Sequence, residues 1–172
     1  MQVFALAIFL SALTYIIVVF GLSRLAIPNL QKVKPQKNVP QQLAQLVDTL
    51  NQTKKDENQF VGALCKVVAQ RFHSKRAKMF LYPRRFFVVN ISEMWGAPGT
   101  QPCHIWNVVL ASALVYSGRF RENDIKTKHT VVNGCIHQYL QLQLPNGQAL
   151  DVDAWGYGIG KTPLGKHAHG FI

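Results

Sequence analysis

Three residues with the side chains of a thiol acyl-transfer site follow one another in the second half of the chain. They are the thiol of Cys103, the imidazole of His137 and the carboxylate of Asp153. A thiolate attacks a carbonyl carbon, an imidazole carries protons to and from the reacting groups, and a carboxylate orients that imidazole. This order of residues also occurs by chance. The local structure predicted around each residue therefore decides whether it is a good candidate for a catalytic role.

Cys103 stands where an apolar helix is predicted to begin. The helix covers Trp106–Tyr116 and ends at a Ser-Gly pair, and Pro102 suits a position just before or inside its first turn. The positive end of a helix and its unpaired amide hydrogens stabilise a thiolate and lower its pKa. The competing interpretation is a buried structural cysteine. Cys65 has that character, because it lies within a helical apolar pattern.

His137 and Asp153 fall on the two strands of a predicted hairpin. His137 lies in the strand-like segment Ile136–Leu144, a Pro-Asn-Gly turn follows, and Ala149–Asp153 forms the return strand. Alternation places the leucines of the first strand on a face that packs on the core, and His137 on the opposite face, which we expect to look towards the cysteine helix. Partners across a hairpin lie about 5 Å apart, so either Asp151 or Asp153 is within reach of the imidazole.

These segments resemble the transglutaminase-like superfamily of cysteine enzymes, over roughly residues 100–156. The resemblance is carried by a Cys followed by an apolar helix that ends at Gly, by a His on a strand with an aromatic residue two positions later, and by a Pro-Gly turn before a strand that ends in Asp. The corresponding segments are Pro102–Gly118, His137-Gln138-Tyr139, and Leu144-Pro145-Asn146-Gly147 followed by Leu150-Asp151-Val152-Asp153.

The resemblance implies an α+β fold, in which a Cys-led helix packs on an antiparallel sheet in a transglutaminase-like or papain-like core. Aligning turn with turn favours Asp153 over Asp151 as the acid of the triad. The implied activity is that of a cysteine hydrolase or acyltransferase that attacks amide bonds of a peptide or protein without a cofactor. The Cys103 backbone amide is the first candidate donor of the oxyanion hole, and Gln101 and Trp95 are candidates for the second.

The chain departs from the pattern of that superfamily at several positions around the motifs, and the departures affect substrate class rather than the triad. They are Ile105, Asn107, Tyr139, Gln141 and Ala154.

The remaining thiol and imidazoles suggest no further site. We interpret Cys135, two residues before His137, as a bystander. His167 and His169 form a pair that is compatible with metal binding, but we expect them to lie in a solvated tail. With three cysteines and no Cys-x-x-Cys pair, neither a disulfide framework nor a zinc site is predicted.

The first 23 residues predict a transmembrane helix. The run Val3–Phe20 is apolar except for one Ser and one Thr, and only two residues precede it, which favours an uncleaved span over a signal peptide or a core helix. Positive charges follow the run, beginning with Arg24, and place the following domain on the cytoplasmic side. Residues 24–40, which contain three prolines, are predicted to be a linker to a single domain of residues 41–172.

The net charge of +11 supports an alternative function, a catalytically inactive module of the same fold that holds nucleic acid or anionic lipid. Its basic surface would come from a basic stretch around which two short strands are predicted, Met79–Tyr82 and Phe86–Ile91. The basic residues of that stretch are Arg71, Lys75, Arg76, Lys78, Arg84 and Arg85.

Overall fold

A computed structural model describes residues 2–73, 76–79 and 81–172 of the chain. The predicted strand Met79–Tyr82 and the basic stretch therefore each include a residue outside the described part, Phe80 and Lys75. The described helices and strands follow in this order: α1 (Gln2–Ile16), a π-helical segment (Ile17–Leu22), α2 (Ser23–Ala26), α3 (Gln41–Thr53), α4 (Glu57–Arg71), β1 (Phe72–His73), α5 (Arg76–Met79), a 3-10 helix (Pro83–Phe87), α6 (Ile91–Gly96), β2 (Gly99–Thr100), α7 (Cys103–Tyr116), a 3-10 turn (Glu122–Asp124), β3 (Ile125–Val132), β4 (Cys135–Gln143), β5 (Ala149–Val152) and α8 (Ala154–Gly158).

The N-terminal helix is continuous from α1 through the π-helical segment to α2. Over Phe4–Ala26 it contains 23 residues with a hydropathy of 2.5 in its most apolar window, and the side chains of that window are not buried by the rest of the protein. Its length and composition are sufficient to cross a membrane.

The segment expected to be a linker packs against the domain that follows it. Leu30 and Val33 are buried. The Gln138 side chain donates hydrogen bonds to the main-chain oxygens of Asn29 (2.6 Å) and Leu30 (2.7 Å), and the Gln36 amide donates to a serine of α7 (2.8 Å). Residues 29–36 are therefore held by specific contacts, although they form neither a helix nor a strand.

Helices α3 and α4 pack their apolar faces against α7, as the periodicity of their sequences predicts. Leu43 and Val47 are the buried residues of α3. Helix α4 begins at Asp56, whose carboxylate caps the helix by accepting a hydrogen bond from the Gln59 amide at 2.9 Å. Its buried face includes Cys65, as expected.

The prediction of short strands at Met79–Tyr82 and Phe86–Ile91 is wrong, because the described residues form no strand at these positions. The described part of this region contains α5, the 3-10 helix and α6 instead. Pro83 occupies the first position of the 3-10 helix, where its missing amide hydrogen costs nothing. Asn90 caps α6 by accepting from the amides of Ser92 and Glu93. These local signals for helix starts outweigh the preference of the aromatic and β-branched residues for strands.

Helix α7 and a three-stranded antiparallel sheet of order β3-β4-β5 form the centre of the domain. Leu140 and Leu142 of β4 are fully buried in the core, as predicted, and Leu140 pairs with Val152 of β5. The expected combination of helices with an antiparallel sheet is confirmed. Strand β5 ends one residue earlier than predicted, because Asp153 is the N-cap of α8.

Candidate active site

Cys103 is the first residue of α7, as the sequence predicts; the residue as a whole is partly exposed, whereas its thiol group is buried. Pro102 is the N-cap, and it has no amide hydrogen to leave unpaired. The other two thiols differ from it: Cys65 is buried in the core, and Cys135 is partly exposed at the start of β4. Cys103 is thus the thiol that lies at a helix N-terminus.

His137 and Asp153 form a buried pair beside Cys103. His137 Nε2 donates to Asp153 Oδ2 at 2.8 Å, and both side chains are about 1% exposed. The Trp155 ring lies against the imidazole, with 4.7 Å between the ring centroids. Since Nε2 is engaged by the carboxylate, Nδ1 is the ring nitrogen left to interact with the Cys103 thiol.

The Asp153 carboxylate has three hydrogen-bond donors. Besides His137, the main-chain amide of Ala168 donates to Oδ2 at 2.9 Å, and that of Gly156 donates to Oδ1 at 2.9 Å. Burial alone would raise the pKa of this carboxyl, but the hydrogen bond and charge of His137 and the two amides lower it below its ordinary value. Asp153 is therefore ionised at neutral pH.

The electrostatics favour an imidazolium and a thiolate. Burial opposes a charge on His137, yet hydrogen bonds to Asp153 and Cys103 raise the pKa of the imidazole to about 9. Burial would also raise the pKa of the Cys103 thiol, but a hydrogen bond to His137, the imidazolium charge and the Gln138 backbone lower it. For comparison, burial raises the pKa of the Cys65 thiol to about 12.

Asp151, the alternative acid, binds a different histidine. Asp151 accepts hydrogen bonds from Gln141 Nε2 and His167 Nδ1, both at 2.9 Å, and the His167 ring stacks on Tyr139 with centroids 4.1 Å apart. The expectation of a solvated tail is wrong for His167, because the tail folds back over the face of β4 that carries His137. The tail thus covers part of the strand face that the sequence predicts to look towards the cysteine helix.

The second candidate donors of the oxyanion hole occupy different environments. Gln101 is buried two residues before Cys103; its side-chain amide donates to the Ala97 oxygen, which leaves one amide hydrogen, and its main-chain oxygen accepts from Trp106 Nε1 at 3.0 Å. Trp95 packs in the core, and its indole Nε1 is buried without a hydrogen-bond partner among the described residues. Its ring contacts Phe72, at a centroid distance of 6.2 Å.

A cavity of about 420 Å³ lies beside the start of α7 and is bordered by Gln101 and Ile105. In a helix, side chains two positions apart point about 200° from one another, so the cavity lies on the flank of α7 away from the Cys103 side chain. His104, between them, is buried, and burial lowers its pKa to about 4. The cavity therefore belongs to the loops before α7 rather than to the thiol.

Two arginines of the basic stretch brace the loop that leads to Cys103. Arg71 Nε donates to the Trp95 main-chain oxygen at 2.7 Å, and its guanidinium lies 4.2 Å from the centroid of the Trp95 ring. Arg85 donates to the Thr100 oxygen. Arg84 lies on the surface near Glu93, at 3.8 Å. Part of the basic charge is thus used inside the protein.

Sequence reasoning missed three contributors to the site: Gly156, Ala168 and Gln138. The Asp-Ala-Trp-Gly sequence that begins at Asp153 is a helix N-cap signal, which would have pointed to the Gly156 amide. Ala168 lies in the tail, where no local pattern relates it to Asp153. Gln138 links the thiol to residues 29–30, and its carbonyl also accepts from Asn107 of α7 at 2.8 Å.

Comparisons with known proteins gave no matching family model, no matching curated protein and no matching solved structure. The site is therefore interpreted from its own geometry. Among the described residues, no group of three or more His, Cys, Asp and Glu side chains is arranged to hold a metal ion.

Proposed function

We propose that this chain is a membrane-anchored thiol enzyme that acts on amide bonds through Cys103, His137 and Asp153. The observation that carries the proposal is the position of His137, whose Nε2 is held by an ionised, fully hydrogen-bonded Asp153 while the rest of the ring interacts with the thiol at the start of α7. An inert structural cysteine has no need of a buried charge pair, which is costly to bury. The order of helix, strand and acid resembles the transglutaminase-like core.

In the proposed reaction, the Cys103 thiolate attacks the carbonyl carbon of the amide, and the carbonyl electrons move to its oxygen. The amide of Cys103, at the first turn of α7, has no partner within the helix and is the donor to this oxyanion. The tetrahedral intermediate collapses as His137 gives its proton to the leaving nitrogen. The products of this half-reaction are a free amine and a thioester on Cys103.

The second half-reaction releases the acyl group. His137, now neutral, removes a proton from water or from a second amine as that nucleophile attacks the thioester carbonyl. The Cys103 thiolate leaves, and His137 is again an imidazolium beside it. Asp153 keeps the imidazole oriented throughout and stabilises its charged form.

The proposed location is a single membrane span over the N-terminal helix with the catalytic domain on the cytoplasmic side. Support comes from the exposed apolar surface of Phe4–Ala26 and from the positive charges that follow it. The alternative of an inactive basic module is not adopted, because Arg71 and Arg85 bind main-chain oxygens within the domain.

The test uses the full chain in detergent or vesicles with a series of peptidyl acyloxymethyl ketones, followed by fluorogenic peptide and acyl amides. We expect covalent labelling at Cys103 and a hydroxylamine-sensitive acyl adduct with turned-over substrates, both located by mass spectrometry. The Cys103→Ala variant should lose both, whereas the matched variant Cys135→Ala should retain them. Labelling of Cys135 at the rate of Cys103 in the parent protein would contradict the proposal.

A further inference from the structure

The N-terminal helix touches the catalytic domain near the middle of its apolar run. The Tyr15 hydroxyl donates a hydrogen bond to the Gly134 oxygen at 2.7 Å and lies 3.9 Å from the Cys135 sulfur. Gly134 is in the turn between β3 and β4. Beyond Tyr15, the π-helical segment approaches β4, and Val19 and Phe20 are half-buried, whereas residues 4–18, Leu22 and Leu25 are exposed.

The position of Tyr15 determines how deep this contact lies if the helix spans a membrane. Tyr15 is the central residue of Phe4–Ala26, so the helix extends about 17 Å on either side of it at ~1.5 Å per residue. The hydrocarbon core of a bilayer is about 30 Å thick. The part of the helix free of the domain is thus long enough for one leaflet, and the part after Tyr15 shares the other leaflet with the β3–β4 turn.

Several polar groups of this turn are paired within the protein, which lowers the free-energy cost of immersing it in hydrocarbon. The Asn133 amide donates to the Gly170 oxygen at 2.8 Å, and the Gly170 amide donates to the Val131 oxygen at 2.9 Å. The Asn133 side chain donates to the Ile172 oxygen at 3.2 Å and accepts from the Ile172 amide at 2.9 Å. Through these hydrogen bonds the turn and residues 170–172 form one unit. The Tyr15 hydroxyl donates to the Gly134 oxygen of the same unit.

The outer side of this unit is apolar. Phe171 is 91% exposed, Val131 44% and Ile172 43%. An aromatic side chain that is almost completely exposed costs free energy in water, and the cost disappears in lipid. His169, one residue before Gly170, is the nearest exposed titratable side chain of the tail.

We propose that the surface formed by Val131–Gly134 and residues 170–172, which we term the hairpin–tail surface, is a second membrane contact that lies among the lipid acyl chains. This inference rests on the proposed membrane span of the N-terminal helix. Since His137 is two residues beyond Cys135, the triad lies about 7 Å further along β4 and within the depth of the same leaflet.

The test compares tryptophan reporters in the full chain, reconstituted in phosphatidylcholine vesicles with or without bromine on the acyl chains. Phe171→Trp reports on the hairpin–tail surface, and Phe9→Trp reports on the helix itself. Gln148→Trp is the matched control, because Gln148 is exposed next to the turn at the opposite end of β4, about 30 Å away. The emission of the unsubstituted protein, which has three native tryptophans, is subtracted from each variant.

We expect brominated lipid to quench at least half of the added emission of Phe171→Trp and of Phe9→Trp, and to leave that of Gln148→Trp unchanged. Aqueous acrylamide should quench the added emission of Gln148→Trp more strongly than that of Phe171→Trp or Phe9→Trp. If Phe9→Trp is quenched by lipid while Phe171→Trp behaves like Gln148→Trp, the inference is overturned and the membrane span stands. If Phe9→Trp is not quenched either, both the span and the inference fail.

Discussion

Replacing Asp153 with Asn separates the charge of the acid from its shape. The asparagine keeps one oxygen, which can accept from the amide of Gly156 or of Ala168 but not from both, because these amides donate to different oxygens of Asp153; it also removes the negative charge that faces His137 Nε2 across 2.8 Å. Because the buried imidazolium depends on that charge, we expect the pKa of His137 to fall towards or below the 6.5 of a free imidazole. The Cys103 thiol then loses the positive charge that stabilises its thiolate.

The size of the effect follows from the pKa of His137. A pKa of about 9, against 6.5 for a free imidazole, corresponds to on the order of 3 kcal/mol in favour of the charged ring. Asp153 provides the largest of the contributions that raise this pKa, ahead of Cys103. Loss of half of that free energy moves the midpoint of thiolate formation up by about one pH unit, which corresponds to about tenfold slower alkylation of Cys103 at a pH well below that midpoint.

The assay measures the rate of alkylation by iodoacetamide from pH 4 to pH 10 and identifies each adduct by mass spectrometry. In the unsubstituted protein, we expect Cys103 to react with a midpoint below the ordinary thiol pKa of about 8.5. Cys135 is partly exposed in the same molecule and serves as an internal control for reagent and protein concentration. In Asp153→Asn, only the profile of Cys103 should move to higher pH.

Two results would refute this reasoning. Superimposable Cys103 profiles in the two proteins would mean that Asp153 does not control the charge of His137. A shift of equal size at Cys135 would mean that the substitution loosens the whole domain, and circular dichroism of both proteins would then show it. Rescue of the Cys103 profile by Asp153→Glu is not expected, because a longer side chain cannot keep the contacts with both main-chain amides.

Three further predictions concern stability and reactivity. Gly156→Ala should destabilise the protein by about 1–3 kcal/mol and slow the alkylation of Cys103, because the new methyl group would lie against Thr162 Oγ1 and 2.7 Å from Asp153 Oδ2. Chemical unfolding measures the first effect and the alkylation rate the second. An unchanged unfolding midpoint would contradict the close packing around Gly156. The melting temperature should fall as the pH rises from about 6.5 to 9, since the raised pKa of His137 stabilises the fold only while the ring is protonated, and Asp153→Asn should flatten this decline. Cys65, with a pKa of about 12, should stay unlabelled at pH 8 until denaturant is added, and early labelling would show that α4 is not packed.

Several features of the fold follow from local patterns. The apolar runs and caps predict α4, α7 and the N-terminal helix, and the Pro-Asn-Gly turn predicts the β4–β5 hairpin. The start of α7 at Cys103 is local as well, because a proline before an apolar run fixes where the helix begins. The sequence predicts strands at Met79–Tyr82 and Phe86–Ile91, where the described residues form none. Aromatic and β-branched residues favour strands only where a neighbouring strand can pair with them.

The sequence by itself predicted the residues of the proposed site: a thiol at a helix start, an imidazole on a strand, and an acid at the end of the next one. The resemblance favours Asp153 over Asp151, but only the tertiary structure shows that these two acids, which share a strand face, have different partners, His137 for Asp153 and His167 for Asp151. The tertiary structure also brought the Ala168 amide to the carboxylate and Tyr15 to the β3–β4 turn. Contacts between residues so far apart along the chain leave no periodic signal, since they depend on how the elements pack rather than on neighbouring side chains.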